Sequence, residues 1–201
     1  LILISLAIFV FTSFFLLKNK CLFVEKNNLN KLKFNEPNNI AVMNVECGNV
    51  IIELYPDISP KAVKRFKILI EKKMYDGSAF YKVSENTFVQ AGDVEYGNIN
   101  NLDYSKIGSG RSGLGLLKSE INNDFIFTEG SVGFARTTEF NTEDSEFFIT
   151  LNEIPIYQGE YTPIGKVIHG LDILTKIKTG SKAIYVLRPD YIKTFRMLNS
   201  N

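Results

Sequence analysis

The 201-residue sequence has no tryptophan, a single histidine (His169) and only two cysteines, Cys21 and Cys47. Two cysteines are too few for a disulfide framework, and one histidine leaves no clustered Cys/His ligand set, so no metal centre is expected. Both thiols are expected to be free; one bond between them is the alternative. Nor is there an excess of charge of either sign. The formal net charge is +1, which gives no electrostatic footprint for nucleic acid, and none is expected as a partner. No motif asks for a cofactor.

Charge is missing altogether from residues 1–17, an apolar run broken only by Ser5, Thr12 and Ser13. At 1.5 Å per residue a helix of this length reaches about 25 Å, the short end of a membrane span. Lys18-Asn19-Lys20 follows, with no small-residue cleavage site. The segment reads as an uncleaved membrane anchor, with a cleaved signal as the second reading. Residues 18–38, rich in Asn and Lys, read as a polar linker.

A globular domain is expected over residues 39–188, and a tail over 189–201. Ala41 to Glu46 alternates, Gly48-Asn49 offers a tight turn, and Val50 to Leu54 completes a hairpin. Ser59-Pro60 reads as an N-cap and first helical residue. Val63, Phe66, Leu69 and Ile70 then recur at helical spacing, with the helix ending near Met74. From Phe80 onward short apolar strands alternate with Gly- and Asn-rich turns, the pattern of an all-β barrel or sandwich. Gly108, Gly110, Gly113 and Gly115 lack the Lys-Ser/Thr ending of a phosphate loop and read as conformational glycines. A second short helix fits Leu171 to Lys178. His169 reads as a loop or cap residue.

Several pieces then fall in a telling order. Tyr75-Asp76-Gly77 precedes Phe80-Tyr81-Lys82, and Gln90-Ala91-Gly92-Asp93 follows. Next come Gly130 to Thr137, Asn141, Ser145-Glu146-Phe147-Phe148-Ile149, and Tyr161 to Val167. In this order and spacing the chain resembles the cyclophilins, the barrel-shaped peptidyl-prolyl cis/trans isomerases, over roughly Ala41 to Lys178. The resemblance implies a mainly β fold: a closed, mostly antiparallel eight-stranded barrel capped by two helices. It implies rotation about X-Pro amides of unfolded or Pro-containing polypeptides, by a monomer. A small anchored domain of this kind is expected on the extracytoplasmic side.

The same resemblance maps a site. Lys82 stands at the family's catalytic arginine and Gln90 at its glutamine. Thr87, Phe88, Phe148, Tyr157 and Tyr161 stand at the proline cup. Ala135 and Arg136 stand at the backbone contacts, Glu146 at a second glutamine, and Ile156 at a position that often carries tryptophan. Lysine keeps a cation but loses the planar fork of donors, so activity is expected to be reduced. A peptide-binding or chaperone module with little turnover is the second reading. Phe147 and Phe148 adjoin in a strand, so they face opposite ways; Phe147 is assigned to the core and Phe148 to the pocket. Read without the resemblance, Arg136 and Glu146 would be a surface ion pair.

Overall fold

The computed structural model describes residues 20–21, 29–180 and 185–199; the apolar segment 1–17 lies outside them. Among the described residues no helix is long and apolar enough to cross a membrane.

The first hairpin joins β1 (Ile40–Val45) to β2 (Gly48–Leu54), with Val45 opposite Gly48. Its turn is therefore Glu46-Cys47, two residues earlier than the Gly48-Asn49 signal implies. Gly48 opens β2 at φ +146°, a conformation that costs glycine no Cβ clash. Six further strands complete the main sheet: β3 (Lys82–Ser84), β4 (Phe88–Ala91), β7 (Ser131–Phe134), β8 (Phe147–Thr150), β9 (Pro163–His169) and β10 (Thr194–Met197). β5 (Gly97–Asn98) and β6 (Asn101–Leu102) form a separate ribbon. His169 is thus the last residue of β9, opposite Ile51, and not a loop residue.

The strand order is β10-β1-β2-β9-β7-β8-β4-β3, antiparallel throughout. The expected closed barrel is not formed. The sheet is a curled, open half-barrel whose edge strands β3 and β10 do not pair. Residues 185–192 cross the gap through isolated bridges, Lys82 to Tyr185 and Ala79 to Tyr191. The Val186 N–H donates to the Tyr81 carbonyl and the Ile192 N–H to the Ser78 carbonyl, each at 2.9 Å. Pro189 has no N–H to give and Arg188 sits at φ +57°, so this stretch cannot sustain a ladder. The chain then enters β10, so residues read as a tail from the sequence form an edge of the sheet.

Helix α1 (Pro60–Glu71) buries Val63, Phe66, Leu69 and Ile70. Its Ser59 makes no capping bond; the Ser59 hydroxyl is buried and has no partner among the described residues. Helix α2 (Leu171–Leu174) is a single turn rather than the two expected, and Ile177 remains buried beyond its end. The Phe66 ring lies 5.2–5.9 Å from the rings of Tyr75, Phe134, Phe147 and Phe195, which form the aromatic centre of the core.

The two cysteines, expected to be free, are bonded: Cys21 joins Cys47 across a Cα separation of 5.0 Å. Lys20 beside it lies 2.6 Å from both Glu46 and Asp190. The short Glu46-Cys47 turn exposes Cys47 to this strap, a proximity that no local pattern encodes.

Candidate active site

Strand register builds the site. Lys82 on β3 is opposite Gln90 on β4, Gln90 is opposite Phe148 on β8, and Phe148 is opposite Gly133 on β7. Residues directly opposite share a face, so one row across four strands carries a cation, an amide, a ring and a gap. The gap has a use. A Cβ on Gly133 would lie 2.5 Å from Phe148 Cζ and 3.0 Å from Phe127, so only glycine lets the Phe148 ring lie down over β7. The opposite face carries Phe147, Ala91 and Phe134 into the main core.

Phe148 joins Phe88, Phe127 and Ile154 in a second, smaller apolar cluster, with Ala135, Tyr157 and Tyr161 packed on it. Tyr157 and Tyr161 stand edge-on to Phe148 at 5.2 and 5.1 Å. Above them lies a cavity of about 70 Å³, lined by Lys82, Phe88, Gln90, Ala135, Arg136, Phe148, Tyr157 and Tyr161. The Lys82 ammonium overhangs it, 5.8 Å from the Phe88 ring centre. Burial pushes the Tyr157 hydroxyl up to about 12, so it remains a donor at the cavity wall.

The remaining expected residues fall elsewhere. Thr87 does not line the cavity; it sits in the β3–β4 turn with its hydroxyl on the Glu85 carbonyl at 3.1 Å. Ile156 is 79% exposed on the 3-10 turn Pro155–Tyr157 and does not line the cup. Arg136 does not pair with Glu146. Its guanidinium holds Glu160 at 2.8 Å, bonds the carbonyls of Thr137 and Thr138, and lies over Phe140 and Tyr161. The Ala135 N–H is already given to the Glu146 carbonyl at 2.8 Å.

Glu146 lines a larger neighbouring cavity of about 220 Å³, which shares Lys82, Gln90, Ala135 and Arg136 with the cup. Its carboxylate accepts a very short hydrogen bond from the Tyr81 hydroxyl and a 2.9 Å bond from Gln90 Nε2. Gln90 also reaches the Tyr81 oxygen at 2.6 Å. This trio fixes the amide of Gln90 behind Lys82. Asp93, buried, accepts from the N–H groups of Gly108 and Gly110 at 2.6 and 3.2 Å and so pins the loop that forms the far wall. Phe127, Tyr81 and Gly133 were not legible as site residues: the first lies in an Asn-rich loop, the second precedes β3, and the third reads as one more glycine.

A row of this kind has a recognisable owner. The cyclophilin type peptidyl-prolyl cis-trans isomerase/CLD family matches residues 40–196, well over half the chain. The chain belongs to the cyclophilin family. A probable peptidyl-prolyl cis-trans isomerase of Brucella suis biovar 1 is 38% identical over 149 residues, covering 74% of this cyclophilin and 76% of that protein. A peptidyl-prolyl cis-trans isomerase of Schizosaccharomyces pombe is 29% identical over 139 residues, covering 67% and 82%. Among solved structures, a Cryptosporidium parvum cyclophilin type isomerase, crystallised in the presence of the dipeptide Ala-Pro, superposes with a TM-score of 0.68. It is 27% identical and covers 81% of this chain and 99% of its own.

Within this cyclophilin the trio has a pH signature. Burial raises the Glu146 carboxyl above its ordinary 4.5, against the lowering effect of Tyr81 and Gln90. Burial, then Glu146, raises the Tyr81 hydroxyl well beyond the usual range, so the shared proton stays on Tyr81. Between the unfolded value and the raised folded value the folded state binds more protons than the unfolded one. Stability therefore falls as pH rises through that window and stays reduced above it. Glu146→Gln removes the penalty. The variant is expected to be more stable than the parent at about pH 8, with the difference closing towards about pH 4, in denaturant melts at both pH values. A variant weaker than the parent at the higher pH would mean that the two hydrogen bonds to the carboxylate outweigh its burial.

Proposed function

We propose that this cyclophilin isomerises X-Pro bonds with Lys82 as its single cationic donor, more slowly than a relative with arginine there. Isomerisation of prolyl bonds is the family's activity; the lower rate is inferred from the lysine at position 82. An X-Pro amide rotates over a barrier of about 18–20 kcal/mol. As it twists, the prolyl nitrogen pyramidalises and becomes basic, and a donor aimed there stabilises the twisted form selectively. The observation that carries the reading is the row Lys82, Gln90, Phe148 in one register. Phe148 and its tyrosines supply an apolar floor for a proline ring, Gln90 holds position, and Lys82 overhangs the bond. An ammonium is a point donor, so it makes one contact where a guanidinium makes two.

The apolar run 1–17 supports a membrane tether, and the Cys21–Cys47 bond supports an oxidising, extracytoplasmic compartment for the domain. A protease-coupled isomerisation assay with an Ala-Pro peptide is the direct test. The expected result is a catalysed rate proportional to protein concentration and well below that of the Lys82→Arg variant. Peptide binding with no catalysed rate would make the groove a binding module instead.

A further inference from the structure

A third hollow adjoins the two already described. It encloses about 330 Å³ and is lined by Tyr81, Tyr104, Ile107, Tyr185, Val186 and Leu187, none of them charged. Val186 is its buried floor. Leu187, Tyr104 and Tyr185 stay 74%, 50% and 49% exposed at its rim. Single exposed apolar side chains are ordinary; several around one concavity are not. The rim is held in place. The Tyr104 hydroxyl accepts from the Arg188 N–H at 3.0 Å, and the Val186 N–H is bonded to the Tyr81 carbonyl.

The hollow is continuous with the groove. Tyr81 and Tyr185 stack at 6.2 Å with 28° between their planes, and both line the 220 Å³ cavity as well as the hollow. That cavity shares Lys82, Gln90, Ala135 and Arg136 with the proline cup. Three concavities thus run in series, from the cup, past the Glu146 trio, and over the paired tyrosines. A polypeptide laid along them offers side chains to the same side at every second residue.

We propose that the hollow is a second contact for the substrate chain and takes a bulky apolar side chain a few residues away from the isomerising proline. The occupant is the same polypeptide that fills the cup, because the 220 Å³ cavity shares walls with both sites and the described residues lining the hollow carry no charge with which to select anything else. An apolar residue close to a proline is exposed in an unfolded chain and buried in a folded one. The hollow therefore favours unfolded clients. The inference rests on the groove being the prolyl site.

The test uses the full 201-residue chain and peptides with one proline. A phenylalanine is scanned along both flanks of the proline, and each peptide is compared with its serine counterpart. Affinity is read from NMR shifts and turnover from exchange between cis and trans signals. At one position phenylalanine is expected to tighten binding about tenfold, the effect of burying part of an aromatic side chain. Leu187→Asp should abolish that gain and leave turnover of the serine peptide unchanged. Ile99→Asp, an exposed apolar residue outside the hollow, should preserve the gain. The proposal is overturned if no position tightens binding, if the gain survives Leu187→Asp, or if Ile99→Asp removes it equally. Failure of the prolyl reading looks different: the wild-type chain would not turn over the serine peptide at all.

Discussion

Replacing Lys82 with alanine is expected to lower kcat/KM by about 10²–10³, the loss typical of one well-placed transition-state donor. The fall should appear in kcat more than in KM if, as proposed, the ammonium meets the prolyl nitrogen only as the amide twists. Lys82→Arg should move the rate upward by restoring a two-point donor. Stability should change little in either variant: Lys82 is half-buried, and its ammonium lies over the face of Phe88. Activity and melting are to be measured on the same preparations. A rate untouched in Lys82→Ala would remove the residue from catalysis.

The second large effect separates the two faces of β8. Phe147→Ala is expected to cost about 3–5 kcal/mol of stability, as for other buried aromatics cut to alanine. The Phe147 ring is 1% exposed and meets Phe66 and Tyr75 at 5.2 Å each and Phe195 at 6.1 Å. Set against a total of about 5–15 kcal/mol for a domain, that loss brings the fold close to failure. Phe148→Ala should cost less. Its ring is also buried, at 3%, but its lid is Tyr157 and Tyr161, half-buried side chains at the groove that can settle into the space. Peptide affinity should collapse in Phe148→Ala, whereas the folded fraction of Phe147→Ala should keep it. Denaturant melts and peptide titrations on both variants give the answer. The opposite pattern would turn the sheet over and move the whole groove map with it.

Much of this site can be read from the chain because strand parity is local. Once Gln90 and Phe148 are placed on strands, alternation alone sends Val89, Ala91 and Phe147 to the core. The ordered motifs then bring Lys82 and Tyr161 to the same cup. What resisted reading depends on distance in the sequence. Tyr81 lies one residue before β3, where alternation has no authority, yet its hydroxyl joins Gln90 to Glu146. Gly133 matters only because Phe148 lies across it. Arg136 and Glu146 are both charged and ten residues apart, but Glu160 and Tyr81 reach them first. Closure of the barrel depends on how residues 185–192 cross a gap, and an alternating pattern carries no information on that.

The bond between Cys21 and Cys47 also decides where mechanical load enters the domain. Tension applied upstream of Cys21 bypasses residues 22–46 and is delivered to the Glu46-Cys47 turn, between two strands that each have a second neighbour, β10 on one side and β9 on the other. Load delivered there is shared by interior ladders. Once the bond is reduced, the same tension follows the backbone to Ile40 and draws on β1 from its free end, where the hydrogen bonds to β2 give way one pair at a time.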